Sequence, residues 1–414
     1  MTFAEKWLTM VLLCFSGSTI FWMPFLSEIY YVPMQDAFGF SKTQIGILSS
    51  TFGFVSLIGY FPGGWLADRF PPRKLISVAL AITAAAGFVF STIPSFEICI
   101  LLYGVFGLAA AFVFWSAMIK ATRNWASKEE QGRAFGILEG GRNLFDLASA
   151  TILLSIFAFR GGDDAALSEN IVLLSLTSLI LAILVWRVFK DDMSQQGNAQ
   201  ERQPTLTAAA IIEVLKLPIV WLIAIIIMGA YSGLWGAIFF TPYATEVFAL
   251  GDVLGGAIGV GKIWLAPFAA IAAGIIADRI GAARAVLGSF VLMTSGFLVF
   301  ALVPGAPSLM PLLIINVAVI SSAVYALRGI YFSLLGQGDI PIAVTGTAAG
   351  IVSVIGYTPD IFLPTLGGMI LDADPGAGGY QNLFLLIGAL NFLGLVAAYA
   401  AHRKIQVSRV VSAR

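Results

Sequence analysis

Gly64-Trp-Leu-Ala-Asp-Arg-Phe-Pro-Pro-Arg-Lys74 is a short polar stretch between two long apolar runs. The pattern returns in Gly274-Ile-Ile-Ala-Asp-Arg-Ile-Gly-Ala-Ala-Arg284, which again separates two apolar runs. Five positions keep their residue type at a constant separation of 210 residues: glycine at 64 and 274, alanine at 67 and 277, aspartate at 68 and 278, arginine at 69 and 279, and a basic residue at 74 and 284. A polar turn that recurs after about half of the chain indicates two copies of one membrane unit.

The composition is typical of a membrane protein. Of the 414 residues, 59% are hydrophobic and only 11% are charged, whereas about 25% are charged in an ordinary soluble domain. Many apolar runs reach the ~20 residues that a helix needs to cross a bilayer. The formal net charge is zero, so no basic surface indicates a nucleic-acid partner.

The sequence offers no support for enzyme chemistry. Both cysteines, Cys14 and Cys99, lie inside apolar runs and form neither a disulfide framework nor a metal-ligand spacing. No nucleotide-binding loop, nucleophile elbow or catalytic dyad is present, and nothing outside the runs is large enough for an ATP-hydrolysing domain. We therefore predict a protein that is not an enzyme and that needs no metal and no cofactor.

Twelve apolar runs predict twelve membrane-spanning helices, hence an all-α membrane protein. The predicted spans are residues 7–32, 45–66, 75–93, 98–119, 134–159, 171–189, 218–243, 253–277, 285–303, 309–335, 342–366 and 383–401. Residues 1–189 are predicted to form an N-terminal six-helix bundle and residues 218–414 a C-terminal one. The intervening residues 190–217 are polar and predict a cytoplasmic linker with a short amphipathic helix.

Basic residues determine the predicted orientation. With both termini in the cytoplasm, eighteen of the 23 lysines and arginines fall in cytoplasmic segments and three inside spans. Only Lys42 and Arg160 fall in outer loops. This bias matches the positive-inside rule, so we expect a multi-pass inner-membrane protein with cytoplasmic termini.

The duplicated Gly-x-x-Ala-Asp-Arg turn and the six-plus-six spans closely resemble the major facilitator superfamily, over essentially the whole chain. The first copy departs from the family pattern at Pro71 and Pro72, where glycine and a basic residue are usual. The resemblance implies two six-helix bundles related by a pseudo-twofold axis around a central cavity. It also implies a transporter that works by a rocker switch in the lipid bilayer. We expect a monomer.

The resemblance further implies a conformational latch at the two polar turns, locking the outward-facing state. A carboxylate at the end of one helix can accept hydrogen bonds from the N-terminus of a neighbouring helix. Such contacts act as a latch if they form in one state only. The alternative is that these charges only set the topology. The predicted latch residues are Asp68, Arg69, Arg73, Arg133, Asp278 and Arg279.

Charged residues are confined to certain spans. Away from their tips, spans 3, 6, 9 and 12 contain none, and in the resembled fold these helices face lipid. A charge at the middle of a bilayer costs about 2.5–3.5 kcal/mol, so the charges in the other spans are expected to face a wet cavity or one another. They are Glu28, Glu139, Arg142, Asp146, Lys262, Arg328 and Asp360.

Lys262 is the sharpest candidate for substrate binding, because it lies near the middle of its span and no acid shares that span. It needs either a substrate anion or a carboxylate from another span, such as Glu28 or Asp360. Glu28 is also the predicted proton carrier, and Asp360, which follows a Gly-Tyr-Thr-Pro break in span 11, is the alternative carrier. Either acid could instead simply pair with Lys262.

Two arginines complete the predicted set of cations. Arg142 has Glu139 at i−3 and Asp146 at i+4 as possible partners on one helix face. Arg328 can line the inner vestibule or extend its guanidinium to the membrane interface.

Aromatic residues predicted to shape the substrate site are Trp115, Tyr231, Trp235 and Tyr357, although most aromatics in membrane proteins serve packing or the interfacial belt.

These features predict a secondary active transporter that moves a small organic anion by alternating access, coupled to protons or by anion exchange. One alternative is a proton-coupled transporter of a zwitterion such as an amino acid. There Glu28 or Asp360 would hold the ammonium group, and Lys262 or Arg142 the carboxylate. Another alternative, from a different class, is a membrane sensor that has kept the fold and lost transport.

Overall fold

The computed structural model describes residues 3–126, 130–190, 214–337 and 345–412. Within these ranges the chain consists of helices and turns without a β-strand, so the predicted all-α class is confirmed. Apart from its two ends, the predicted linker (residues 190–217) lies outside the described residues, as does the start of the predicted eleventh span. The described residues group into two compact units. One lies within Met1–Glu201 and Asp252–Val260, and the other within Arg202–Gly251 and Gly261–Arg414.

The described residues of the N-terminal half form eight α-helices and a π-helix, whose backbone hydrogen bonds join residues five apart instead of four. They are α1 (Phe3–Thr19), α2 (Ser27–Phe38), α3 (Lys42–Arg69), α4 (Pro72–Phe90), α5 (Phe96–Gly107), the π-helix (Leu108–Trp115), α6 (Ser116–Trp125), α7 (Gln131–Phe159) and α8 (Asp164–Val188). Within this unit α4 packs along α8, α3 along α5 and the π-helix, and α1 against α7.

The C-terminal half contains nine α-helices and one short 3₁₀ turn in its described residues. They are α9 (Pro218–Ile238), α10 (Phe240–Glu246), α11 (Asp252–Ile280), α12 (Ala282–Leu302), the 3₁₀ turn (Pro307–Leu309), α13 (Met310–Ile330), α14 (Ser333–Gln337), α15 (Thr345–Gly356), α16 (Pro359–Ala373) and α17 (Ala377–Ser412). The strongest packing in this unit joins α17 to α9 and α12.

Ten helical segments in the described chain are long and apolar enough to cross a membrane. An eleventh is α3, whose two parts, Lys42–Tyr60 and Pro62–Arg69, are bent by 56°. Proline at the start of the second part has no N–H to donate to the preceding turn, which explains the bend. The remaining predicted span, residues 7–32, is divided between α1 and α2 and is not the single helix that its apolar run predicts.

The break between α1 and α2 has a local cause. Pro24 lies in the turns that join them and cannot donate to the carbonyl four residues before it. In the same turns the amide of Phe21 donates to the carbonyl of Ser18 (3.2 Å). The carbonyl of Gly17, which a regular α-helix would pair with Phe21, is therefore available to another donor.

Glycines let helices of the same unit approach closely. A Cβ added to Gly63 on α3 would lie 2.8 Å from the carbonyl oxygen of Phe112 in the π-helix. In the other unit, a Cβ on Gly229 of α9 would lie 2.9 Å from the Cα of Gly394 on α17. Small residues at such crossings allow backbones to pack against each other in membranes.

We expect Gly229→Ala to lower the stability of the purified protein by about 1–3 kcal/mol, because the new methyl group would overpack a backbone contact. Gly288→Ala on α12 is the matched control, since a Cβ there would meet no atom within 4 Å. Away from clashes, alanine favours a helix over glycine, so this control should be neutral or stabilising. Thermal unfolding in detergent measures both, and equal melting temperatures for the two variants would contradict the expectation.

Candidate functional site

Arg142 lies on α7 and reaches across to α1. Its Nη1 forms an ion pair with Oε1 of Glu139 (2.9 Å), one turn earlier on the same helix. Its Nε donates to the carbonyl oxygen of Gly17 (3.1 Å), the carbonyl that the break after α1 leaves available. A Cβ on Gly17 would lie 2.9 Å from Arg142 Cδ, so glycine makes room for the arginine side chain. Of the two acids predicted as possible partners on α7, Glu139 is confirmed.

Aromatic rings cover the Arg142 guanidinium. Its Cζ lies 5.4 Å from the ring centroid of Trp115 and 5.8 Å from that of Phe21. The two rings pack edge to face, with centroids 6.2 Å apart. Trp115 is the last residue of the π-helix, a geometry that often marks functional sites. We call Arg142, Glu139, Gly17, Trp115 and Phe21 the Arg142 cluster.

Asp146, one turn further along α7, joins a second polar contact with α1. Its Oδ1 accepts a hydrogen bond from Ser18 Oγ (2.5 Å). The same hydroxyl oxygen accepts from Trp22 Nε1 (3.3 Å). An indole, a hydroxyl and a carboxylate are thus linked in sequence where α1 ends.

Lys262 lies on α11 with only 1% of its surface exposed. Its Nζ donates to the carbonyl oxygen of Ala237 (3.0 Å). Ala237 is in the last turn of α9, where carbonyls lack a complete set of helical donors. The structure therefore gives Lys262 a role that the sequence does not suggest, that of a cation at a helix C-terminus.

Asp360 lies at the start of α16, after the break that the Gly-Tyr-Thr-Pro stretch predicts. Its Oδ1 accepts a hydrogen bond from Nε1 of Trp235 on α9 (2.5 Å). Trp235 is 4% exposed. The second unit thus holds a carboxylate with an indole partner, both of them predicted site residues.

Tyrosines adjoin this carboxylate. The ring centroids of Tyr231 and Tyr357 lie 4.4 Å apart, and Tyr331 lies close to Tyr357. Arg328 lies near all three tyrosines and near Asp360. We call these residues together with Trp235 the Asp360 cluster. It unites five predicted site residues within one unit.

Glu28 is the other predicted proton carrier. It is half-buried in the first turn of α2, where the positive end of the helix dipole favours a carboxylate. Its predicted role as a proton carrier remains a prediction.

The predicted latch residues lie at helix ends. Asp68 and Asp278 are exposed in the last turns of α3 and α11. The Arg69 guanidinium stacks 4.0 Å from the ring centroid of Trp65, while Arg133 and Arg279 are exposed.

Arg73 joins the start of α4 to the end of α8, because its Nε donates to the carbonyl oxygen of Trp186 (2.6 Å). Latching itself remains a prediction.

A family model described as "Major Facilitator Superfamily" matches residues 7–362. "Inner membrane protein YqcE" of Escherichia coli (strain K12) is 28% identical over 410 residues, covering 98% of this chain and 96% of the relative. Among solved structures, an inward-facing bacterial homologue of the human lysosomal transporter Spinster superimposes with a TM-score of 0.79. It is 13% identical and covers 98% of both chains, a likeness that concerns the fold alone.

Two further relatives match over shorter stretches. "Probable sulfoacetate transporter SauU" of Cupriavidus necator is 28% identical over 41% of this chain and 39% of its own length. A "Probable hexose phosphate transport protein" of Chlamydia trachomatis is 27% identical over 30% of each chain.

Proposed function

This chain belongs to the major facilitator superfamily, a family of membrane transporters, and we propose that its substrate is a small organic anion carried by alternating access. Sulfoacetate and hexose phosphate, the substrates in the names of two partial relatives, are both organic anions. The reported relatives are named for transport or for their membrane and none for sensing, which favours transport over a sensory role.

The observation that carries this proposal is the Arg142 cluster. The Arg142 side chain is only 14% exposed, yet it lies on a membrane-spanning helix and is held by a carbonyl and two aromatic rings. A planar guanidinium offers paired N–H groups to a carboxylate, sulfonate or phosphate. Lys262 and Arg328 are the further cations that we assign to substrate binding.

We assign proton coupling to Asp360, with Glu28 as the alternative carrier. Asp360 has an indole donor, tyrosines and Arg328 around it, a setting in which gain or loss of a proton changes several hydrogen bonds. Anion exchange is the other way in which the substrate gradient could be used. The orientation with cytoplasmic termini, the latch at the polar turns and a monomeric state are parts of the same proposal.

Uptake by proteoliposomes tests the proposal. Purified protein is reconstituted, and the entry of labelled sulfoacetate, glucose 6-phosphate and glycine is followed with and without an imposed pH gradient. Protein-dependent entry of an anion but not of glycine supports the proposal. Entry of glycine alone would favour the zwitterion alternative, and binding in a thermal-shift titration without any flux would favour a sensor.

Lys262→Ala is expected to weaken anion binding at least about tenfold while the protein stays folded. The substitution removes a buried positive charge, whose hydrogen bonds to an anion are worth about 1.5–3 kcal/mol. It also leaves the Ala237 carbonyl with one donor fewer, so the melting temperature should fall modestly. A thermal-shift titration with sulfoacetate measures both, and unchanged affinity would remove Lys262 from the substrate site.

A further inference from the structure

The ion pair of the Arg142 cluster is unevenly exposed. The side chain of Arg142 is 14% exposed, whereas that of Glu139 is 56% exposed. The glutamate can therefore swing away from the pair into open space at low steric cost. The aliphatic part of the Arg142 side chain packs against Gly17 of α1, which prevents the arginine from making the same movement.

Arg142 has further contacts besides Glu139. Its Nε is bound to the carbonyl oxygen of Gly17, and Trp115 and Phe21 cover its guanidinium. Only Nη1 is committed to the carboxylate, at 2.9 Å. An incoming anion would therefore meet a guanidinium held by these contacts, whose one acidic partner is exposed and replaceable.

We propose that Glu139 is a tethered counter-anion. It occupies Arg142 when no substrate is bound and yields the guanidinium to the substrate anion when one arrives. This inference rests on the proposed transport of an anion. A charge without a partner is costly inside a membrane, so the pair also lets the empty carrier reorient with Arg142 neutralised.

Glu139→Gln separates this role from a purely structural one, because it keeps the side-chain shape and removes the charge. Without the competing carboxylate, the Kd for sulfoacetate should fall about threefold to tenfold. Net uptake should become slower, because the empty carrier would reorient with an uncompensated arginine. Exchange of labelled for unlabelled sulfoacetate should be retained, since exchange needs no empty reorientation.

Glu169→Gln is the matched control. Glu169 pairs with Arg160 (2.6 Å) near the loop between α7 and α8, and both side chains are about half exposed. Losing that pair should change neither affinity nor the ratio of exchange to net uptake. Glu139→Asp retains the charge on a shorter side chain and should give an intermediate Kd, which keeps the test informative if Glu139→Gln fails to fold.

An unchanged or higher Kd in folded Glu139→Gln, or equal slowing of exchange and net uptake, would overturn this inference while leaving anion transport intact. If wild-type protein neither binds nor moves sulfoacetate or glucose 6-phosphate, the proposed function fails, and this inference fails with it. A lower Kd together with selectively slowed net uptake supports both.

Discussion

Arg142→Gln is expected to lower sulfoacetate uptake by proteoliposomes at least about 30-fold. Truncating one partner of a buried, hydrogen-bonded charge pair costs about 2–5 kcal/mol, and the substrate anion is the partner that we assign to Arg142. Glutamine keeps a donor near the Gly17 carbonyl, so the contact between α1 and α7 should survive. Initial uptake rates at several substrate concentrations measure the effect.

Arg160→Gln is the control for the loss of an arginine from an ion pair. Arg160 bonds to Glu169 through two nitrogens, but in an exposed position near the start of α8, where such pairs contribute about 0–1 kcal/mol. Its uptake should equal that of the wild type. If Arg142→Gln retained uptake within a few-fold of this control, the Arg142 cluster would not be the substrate site.

Asp360→Asn is expected to abolish uphill accumulation driven by a pH gradient while exchange of substrate across the membrane continues. Asparagine can still accept the hydrogen bond from Trp235 Nε1, but it cannot bind and release a proton. The measurement compares accumulation under an imposed gradient with exchange in its absence.

Asp146→Asn is the matched comparison, because Asp146 is also a carboxylate that accepts a short hydrogen bond from another helix. It should leave accumulation in place. Accumulation that survives Asp360→Asn and disappears in Glu28→Gln would transfer proton coupling to Glu28. Accumulation that survives in both variants would favour anion exchange as the source of energy.

The fold was predictable because it depends on patterns that repeat. The two polar turns 210 residues apart and the long apolar runs predict a duplicated helical membrane protein. The family match confirms that prediction. The break within the first span was not predictable from hydropathy. It depends on Pro24 and on backbone hydrogen bonds in which an amide donates to a carbonyl three residues earlier instead of four. Membrane helices tolerate proline, so its presence alone predicts no break.

The site was predictable in part, because intramembrane charge is rare and costly. That argument selects Arg142, Lys262 and Asp360, and the Gly-Tyr-Thr-Pro stretch correctly predicts the break before Asp360. It does not identify the backbone carbonyls that hold the two cations, since those contacts join α1 to α7 and α9 to α11. Every residue has a carbonyl, so the sequence carries no signal that selects one.

Those two carbonyls have a mechanical consequence. Lipid offers no hydrogen bond to an exposed carbonyl, and leaving one unsatisfied costs several kcal/mol. The end of α1 should therefore move together with Arg142 and α7 when their unit rearranges, because Arg142 donates to the Gly17 carbonyl. The Ala237 carbonyl also accepts from the backbone N–H of Phe239, so the contact with Lys262 should link α9 to α11 less strictly.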